Sequence, residues 1–499
     1  MSGFCLFFFS CYLFLLTRPL PAGCDASVVL PNAQYIINNG AIPTNTDKID
    51  NIGTQFYPNV LTPLIIAIIQ ITTNLELTYS LSRFYLAIQL LLLAYSTFLL
   101  ARSIHKKAGY LTIILLGTGT GLSMLMNSFT VANILALIFV NFIIYYFNIF
   151  LQNKEKKYFI LSIIFLLALF LVHLYLTFPF FLLIAFFFLI IASFNRGTRL
   201  MIYGNKKLLK ISFIFIILII ASIIFYRFLH LTVLQELLNN FFGDVPELNE
   251  INRQKIFFRN YDNFIGKIIF FLGLIGLAIY WLNKNCRLAF NSIFTSLWII
   301  IGLLLPLTYH LGFYFYHERF LILTIPYLAI YADLAIIYFL NLIINKKIKM
   351  FFLFFIYFYI GLIAITTNIR TTETAIPINN DQLSALNELK KISQDTDIIY
   401  ANNNAISDLS LDLIVAKRKI IKVSNTQTTS FNEDSLNYSF FNPEKKKSVM
   451  NFKANNIQYF LFIQPANYSI DELVKKYDNS KDFKKIFSNH AASIYQMKL

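Results

Sequence analysis

The sequence predicts a polytopic α-helical membrane protein of about eleven spans, ending in a small extracytoplasmic α/β domain. Three observations carry the prediction. Apolar runs near the ~20 residues that cross a bilayer core recur from the N-terminus to about Thr366. The polar breaks between them alternate between strongly basic and nearly free of Lys and Arg. After Asn368 the chain takes on the mixed polar and apolar pattern of a water-soluble domain.

Composition agrees. The 499 residues are 57% hydrophobic with 53 Phe, and only 14% are charged, against roughly 25% in soluble domains. The net charge of +16 does not point to nucleic acid, because the cations sit in discrete loops. These are Arg102/Lys106/Lys107, Lys154/Lys156/Lys157, Arg196 to Lys210, Lys284/Arg287 and Lys346/Lys347/Lys349. Such clustering encodes topology, with the basic loops cytoplasmic. Four cysteines form no disulfide framework and no metal knuckle. The run LPAGC at Cys24 faintly resembles a lipoprotein cleavage box, but no basic segment precedes it.

Spans are expected at about 4–17, 79–101, 109–126, 130–150, 158–173, 175–194, 209–229, 264–282, 289–309, 319–342 and 350–366. The apolar run from Pro58 to Thr73 is short and flanked by prolines, so it reads as a re-entrant or interfacial helix. Counting it as a span would break the alternation of basic loops. This parity places the N-terminus in the cytoplasm and the C-terminal domain on the extracytoplasmic side. The transmembrane domain is then 1–368, with a first outer loop at 18–78 and a long outer loop at 230–263. In the domain 369–499, runs near Asp397 and Ile457 have the brevity of buried strands. DQLSALNELKKIS and SIDELVKKY have helical spacing with polar starts.

Candidate chemistry lies at the outer rim. Asp25 opens the first outer loop, where a carboxylate meets both lipid and water; it reads equally as a helix N-cap. His317, Glu318 and Arg319 stand at the outer mouth of a span below Tyr314, Phe315 and Tyr316. A guanidinium fork matches phosphate oxygens; the alternative is an interfacial anchor with a Glu318–Arg319 pair. His173 marks the outer turn of a helical hairpin, a structural place as readily as a functional one. Asp333 is the clearest charge within a span and reads as accepting a hydrogen bond from a neighbouring helix. Arg83 and Arg227 are placed to snorkel. Glu236, Asp244, Glu247 and Glu250 read as a solvated face; one of them could join Asp25 around a divalent cation, though no ligand spacing marks such a site. No P-loop, dinucleotide glycine turn or nucleophile elbow is present.

In order along the chain, GCDASVVLPNAQYIINNGAIP, QFYPNVLTPLIIAII, SRFYLAIQLLLLAYSTFLLAR, HLYLTFPFF and HERFLILTIPYLAIYA, followed by an outer tail ending FKKIFSNHAASIYQM, resemble the GT-C superfamily of integral-membrane glycosyltransferases. The resemblance covers most of the chain and rests on the order of loosely matching motifs. It implies a polyprenyl-phosphate-linked sugar as donor and a lipid, glycan or protein as acceptor. It matches Asp25 to the catalytic acidic position and Arg319, with His317, to a position suited to the donor phosphate. Glu318 and His173 are supporting candidates.

The sequence also departs from the pattern. It lacks the WWDYG motif of oligosaccharyltransferases, and Ala26 follows Asp25 where some branches have a Glu. A second carboxylate would come from Asp47, Asp50 or Glu247, and the subfamily stays unassigned. A glycolipid transporter or flippase, a polysaccharide polymerase or ligase, and a structural protein with an interaction tail are the competing readings. A transporter calls for repeated halves and midplane polar groups, which the sequence does not offer.

Overall fold

The computed structural model describes residues 24–43, 61–74, 80–122, 131–173, 177–194, 261–282, 290–307, 317–374, 380–394, 396–402, 419–423, 436–463 and 471–498. The expected spans at 4–17 and 209–229 lie outside these residues.

The membrane helices run in order as α1 (Cys24–Asn39), α2 (Leu61–Thr73), α3 (Ser80–Ile104), α4 (Tyr110–Leu116), α5 (Val131–Asn153), α6 (Lys156–Val172), α7 (Thr177–Phe194), α8 (Tyr261–Ile265), α9 (Lys267–Leu282), α10 (Phe290–Leu304), α11 (His317–Leu342) and α12 (Lys346–Thr374). Among the described residues five stretches are long and apolar enough to cross a membrane: Phe84–Ile104, Val131–Asn153, Phe290–Leu307, Arg319–Leu342 and Lys346–Thr367. These mark a multi-pass membrane protein. The chain divides into two compact units. One holds the bulk of α3 to α12 as far as Thr371; the other holds α1, α2 and the chain from Thr372 on.

In the first unit α11 is the central helix, with nine-tenths of its apolar stretch buried, since 94% of that window is inside. It closes on α9 because Gly273 and Gly276 face it: a Cβ on Gly276 would stand 1.8 Å from the Tyr331 carbonyl oxygen. Small residues at such crossings let backbones approach. Several buried polar groups are paired across helices, which lowers the cost of holding them in an apolar interior. Asn141 donates to Ser96 and Thr97 at 3.2 and 3.1 Å, the Tyr331 hydroxyl meets Ser296 at 2.7 Å, and Trp298 donates to the Leu323 carbonyl at 3.1 Å.

Asp333 meets its expectation. One carboxylate oxygen accepts from the backbone N–H of Gly109 (2.9 Å) and of Thr112 (3.1 Å) and from the Thr112 hydroxyl (2.7 Å). It caps the start of α4 from another helix, satisfying donors that a helix N-terminus leaves open.

Two span expectations need correction. The stretch 109–126 is not one helix: α4 ends at Leu116, and Gly117 to Gly119 interrupt it. The stretch 264–282 is divided into α8 and α9 by Gly266, whose φ is +99°. Both breaks share a cause, for the chain turns where these two segments touch. A Cβ on Gly266 would lie 2.5 Å from the Thr118 carbonyl oxygen, and one on Gly121 would lie 2.4 Å from that of Phe264. Hydropathy alone does not register such a break.

In the second unit α1 packs on α2, burying Val29, Leu30, Ala33 and Ile36 against a face that includes Ile66 and Ala67. Gly40, with φ of +64°, ends α1 and donates to the Ile36 carbonyl at 2.9 Å. The 13 residues of α2 span about 20 Å at 1.5 Å per residue, short of a ~30 Å hydrocarbon layer.

The C-terminal part carries α13 (Asn380–Ile392), β1 (Ile398–Asn402), β2 (Lys419–Val423), α14 (Leu436–Phe441), α15 (Lys446–Ala454), β3 (Ile457–Ile463), α16 (Asp471–Asn479), β4 (Phe483–Ser488) and β5 (Ala492–Met497). The strands form a five-stranded mixed sheet in the order β2-β1-β3-β5-β4. The β1 pairings are parallel and the β5 pairings antiparallel. Alternate side chains of β3 feed two cores, as strand geometry requires. Tyr459, Leu461 and Ile463 pack under Leu386 and Leu389 of α13. Phe460 and Phe462 pack with Phe440, Phe452 and Tyr477 on the other face.

Candidate active site

The hairpin between α6 and α7 builds the first part of the site. His173 ends α6 by donating its N–H to the Leu169 carbonyl (3.0 Å) and opens α7 through its ring. Its Nδ1 accepts from the Thr177 backbone N–H at 3.2 Å, with the Thr177 hydroxyl at 3.3 Å. An Nδ1 that accepts leaves the hydrogen of a neutral ring on Nε2. His173 is 5% exposed. Lying in the turn outside both helices, it is held far below the ordinary histidine pKa, first by burial and then by the positive charge of Arg319.

The charge of Arg319 thus acts at His173, and specific packing brings α7, α10 and α11 together at this level. Phe180 of α7 meets Trp298 of α10 at 4.6 Å and Phe320 of α11 at 5.1 Å between ring centroids. Gly302 lets α10 close on α11 at this level, its missing Cβ lying 2.4 Å from a methyl of Thr324. Arg319, the residue before Phe320, is half-buried. Chemically, the two residues offer a cationic fork and a neutral N–H donor to an anion.

The other candidates are placed as follows. His317 and Glu318 occupy the first turn of α11, with side chains outside the described set. Asp25 lies in the first turn of α1, not at its cap, because the helix already begins at Cys24. A carboxylate in a first turn complements the helix dipole; the side chain of Asp25 is outside the described set. Asp47, Asp50 and Glu247 lie outside the described residues. Among the described residues no cluster of three or more His, Cys, Asp or Glu is poised for a metal ion. Asp25 and Arg319 belong to different units. Sequence reasoning missed Trp298, Gly302 and Thr177 as positioning residues. The Thr four places after His173 was the one signal available.

Comparison with solved structures bears on the fold. The chain superposes on the apo oligosaccharyltransferase of Archaeoglobus fulgidus with a TM-score of 0.59 and 13% identity, covering 93% of this chain and 69% of that one. It also matches ArnT from Cupriavidus metallidurans bound to undecaprenyl phosphate, with a TM-score of 0.56 and 9% identity over 99% of this chain and 96% of that one. The fold is that of the GT-C glycosyltransferases. The mycobacterial arabinofuranosyltransferase AftD shares it at a TM-score of 0.51 and 11% identity, over 100% of this chain but 39% of its own. The same archaeal enzyme is known in complex with an inhibitory peptide and a dolichol-phosphate. No protein-family model and no curated protein matches the sequence.

Proposed function

We propose that this GT-C-fold protein is a membrane glycosyltransferase, moving a sugar from a polyprenyl-phosphate carrier to an acceptor on the extracytoplasmic face. The observation that supports the reading is the fold, whose solved neighbours include complexes with dolichol-phosphate and undecaprenyl phosphate, together with a half-buried Arg319 at the head of α11 whose charge acts at the buried His173.

In this reaction the bond between the anomeric carbon and the phosphate oxygen breaks, and one to the acceptor oxygen forms. Asp25 takes the acceptor proton. The phosphate departs with one more negative charge than it had as a diester, and that charge must be met where it develops. Arg319 supplies a fixed cation, with His317 beside it in the same turn. His173, kept neutral with its hydrogen on Nε2, donates without needing to titrate. Asp47, Asp50 and Glu247 are the candidates for a second carboxylate or for ligands of a divalent cation. The transferred group is a hexosyl or pentosyl unit, and the N-terminus lies in the cytoplasm.

Product inhibition by polyprenyl phosphate tests the phosphate site. Arg319→Gln should weaken that inhibition and lower kcat/KM by about 10²–10³, the cost of losing one charge-stabilising donor. Arg319→Lys should recover part of it, since the charge returns without the fork. Unchanged inhibition in Arg319→Gln would remove the residue from the donor site.

A further inference from the structure

A second polar cavity lies at the opposite end of α11 from Arg319, among the basic loops. Its volume is about 840 Å³, and it is open on one side. Walls come from the end of α3, from α5, α9 and α10, and from the last turns of α11. Arg102 and Lys106 bring its charge, His105 a ring, and Asn148, Gln152 and Asn341 bring amides. No Asp or Glu lines it.

Two details point to a ligand. Asn148, 2% exposed, is packed in place at the edge of the cavity, and its amide can donate to or accept from what enters. In addition, the side-chain oxygen of Asn341 accepts from the Lys349 ammonium at 2.7 Å, which fixes a further cation beside the rim. Asp333, next in sequence to Leu334 of the wall, bonds to Gly109 and Thr112 and is not itself among the lining residues. Tyr280 and Ser292, also on the wall, bond to each other at 2.6 Å beside Ile279 and Ile337, so polar and apolar groups stand side by side there.

We propose that this cavity binds a phosphate-bearing ligand, most simply the head group of an anionic phospholipid, with Arg102 and Lys106 on the phosphate and Asn148 on a polar group behind it. A lipid fits the place: a basic rim with apolar wall residues, beside the exposed Tyr338 and Phe339 of α11. The basic loop at 102–107 thus has a use beyond fixing topology, and the site is separate from the sugar-transfer site.

The test is native mass spectrometry of the protein in phosphatidylcholine discs doped with phosphatidylglycerol, with glycerol phosphate as the soluble competitor. Wild type should retain phosphatidylglycerol in preference to phosphatidylcholine. Arg102→Gln/Lys106→Gln should reduce that retention by about tenfold, as the loss of two cations near an anionic head group implies. Lys154→Gln/Lys156→Gln, on a basic loop that does not line the cavity, should leave it unchanged. Ile337→Trp keeps every charge but crowds the apolar wall, and should displace the lipid even if the double variant proves unstable. Displacement by glycerol phosphate would retain the phosphate chemistry and assign it to a soluble ligand. Equal retention of both lipids by wild type with no binding of glycerol phosphate would overturn the proposal. So would equal losses in both double variants.

Discussion

Asp333 shows what a single charge can do inside a bundle. Its three hydrogen bonds tie α11 to the first turn of α4, a segment more than two hundred residues away in sequence. Asp333→Ala leaves those donors unmet in a buried site and should cost about 2–3 kcal/mol, read as a lower unfolding temperature of the detergent-solubilised protein. Asp333→Asn, which keeps an accepting oxygen, should cost less. Equal stability of Asp333→Ala and wild type would mean the capping bonds are dispensable. His173 illustrates the same economy, because the group that starts α7 is also the one at which the charge of Arg319 acts. The sequence made both residues conspicuous as polar groups in apolar surroundings. It could not show which partners they meet, since those are set by helix packing.

Between elements, glycine sets how closely helices approach. Gly276 permits the α9–α11 contact, whereas Gly361 of α12 has nothing within 4 Å of where a Cβ would be. Gly276→Ala should therefore destabilise by several kcal/mol or prevent folding, since its Cβ would fall 1.8 Å from a backbone oxygen. Gly361→Ala should be neutral or stabilise by up to about 1 kcal/mol, the ordinary helix-propensity gain. Thermal unfolding of the two variants side by side reads this out, and equal effects would contradict the packing described. Element identity was largely legible. Among the described residues, the order of membrane helices between Ser80 and Thr374, the shortness of α2, and the strands near 398 and 457 followed from hydrophobic runs and their lengths. The breaks at 117–119 and Gly266 did not, because a hydropathy window averages over them. The edge strand β2, reading KIIKV, and the hairpin β4–β5 were not assigned, their alternation being too short and too polar to stand out.

At the scale of the whole molecule, a water-exposed domain and a membrane bundle answer to different solvents. In the C-terminal sheet domain, Tyr477 and Tyr495 both have pKa values raised by burial, with Asp478 adding to the effect at Tyr495. Unfolded tyrosine ionises near about 10. The folded state resists ionisation, so this stability is fully present below pH ~10 and is lost as pH rises further. Tyrosinate absorbance of the full-length protein should thus lag behind ordinary titration and then rise together with proteolytic sensitivity of the tail. A smooth transition near the ordinary value, with the tail still protected, would contradict it. The candidate site was legible only in part. Arg319 and His173 could be picked out as polar residues at helix ends, but the Phe180–Trp298–Phe320 contacts that bring α7, α10 and α11 together could not. Asp25 was singled out by its place at the start of the first loop, and its role remains a proposal.

The central claim is sugar transfer from a lipid carrier, and one assay addresses it directly. Purified wild type and Asp25→Asn would be given a panel of labelled polyprenyl-phosphate sugars with lipid, glycan and peptide acceptors. Transfer by wild type, reduced by about 10²–10⁴ in Asp25→Asn with donor binding intact, is the predicted result. Equal turnover by the two proteins, or donor translocation across a bilayer without transfer, would contradict it.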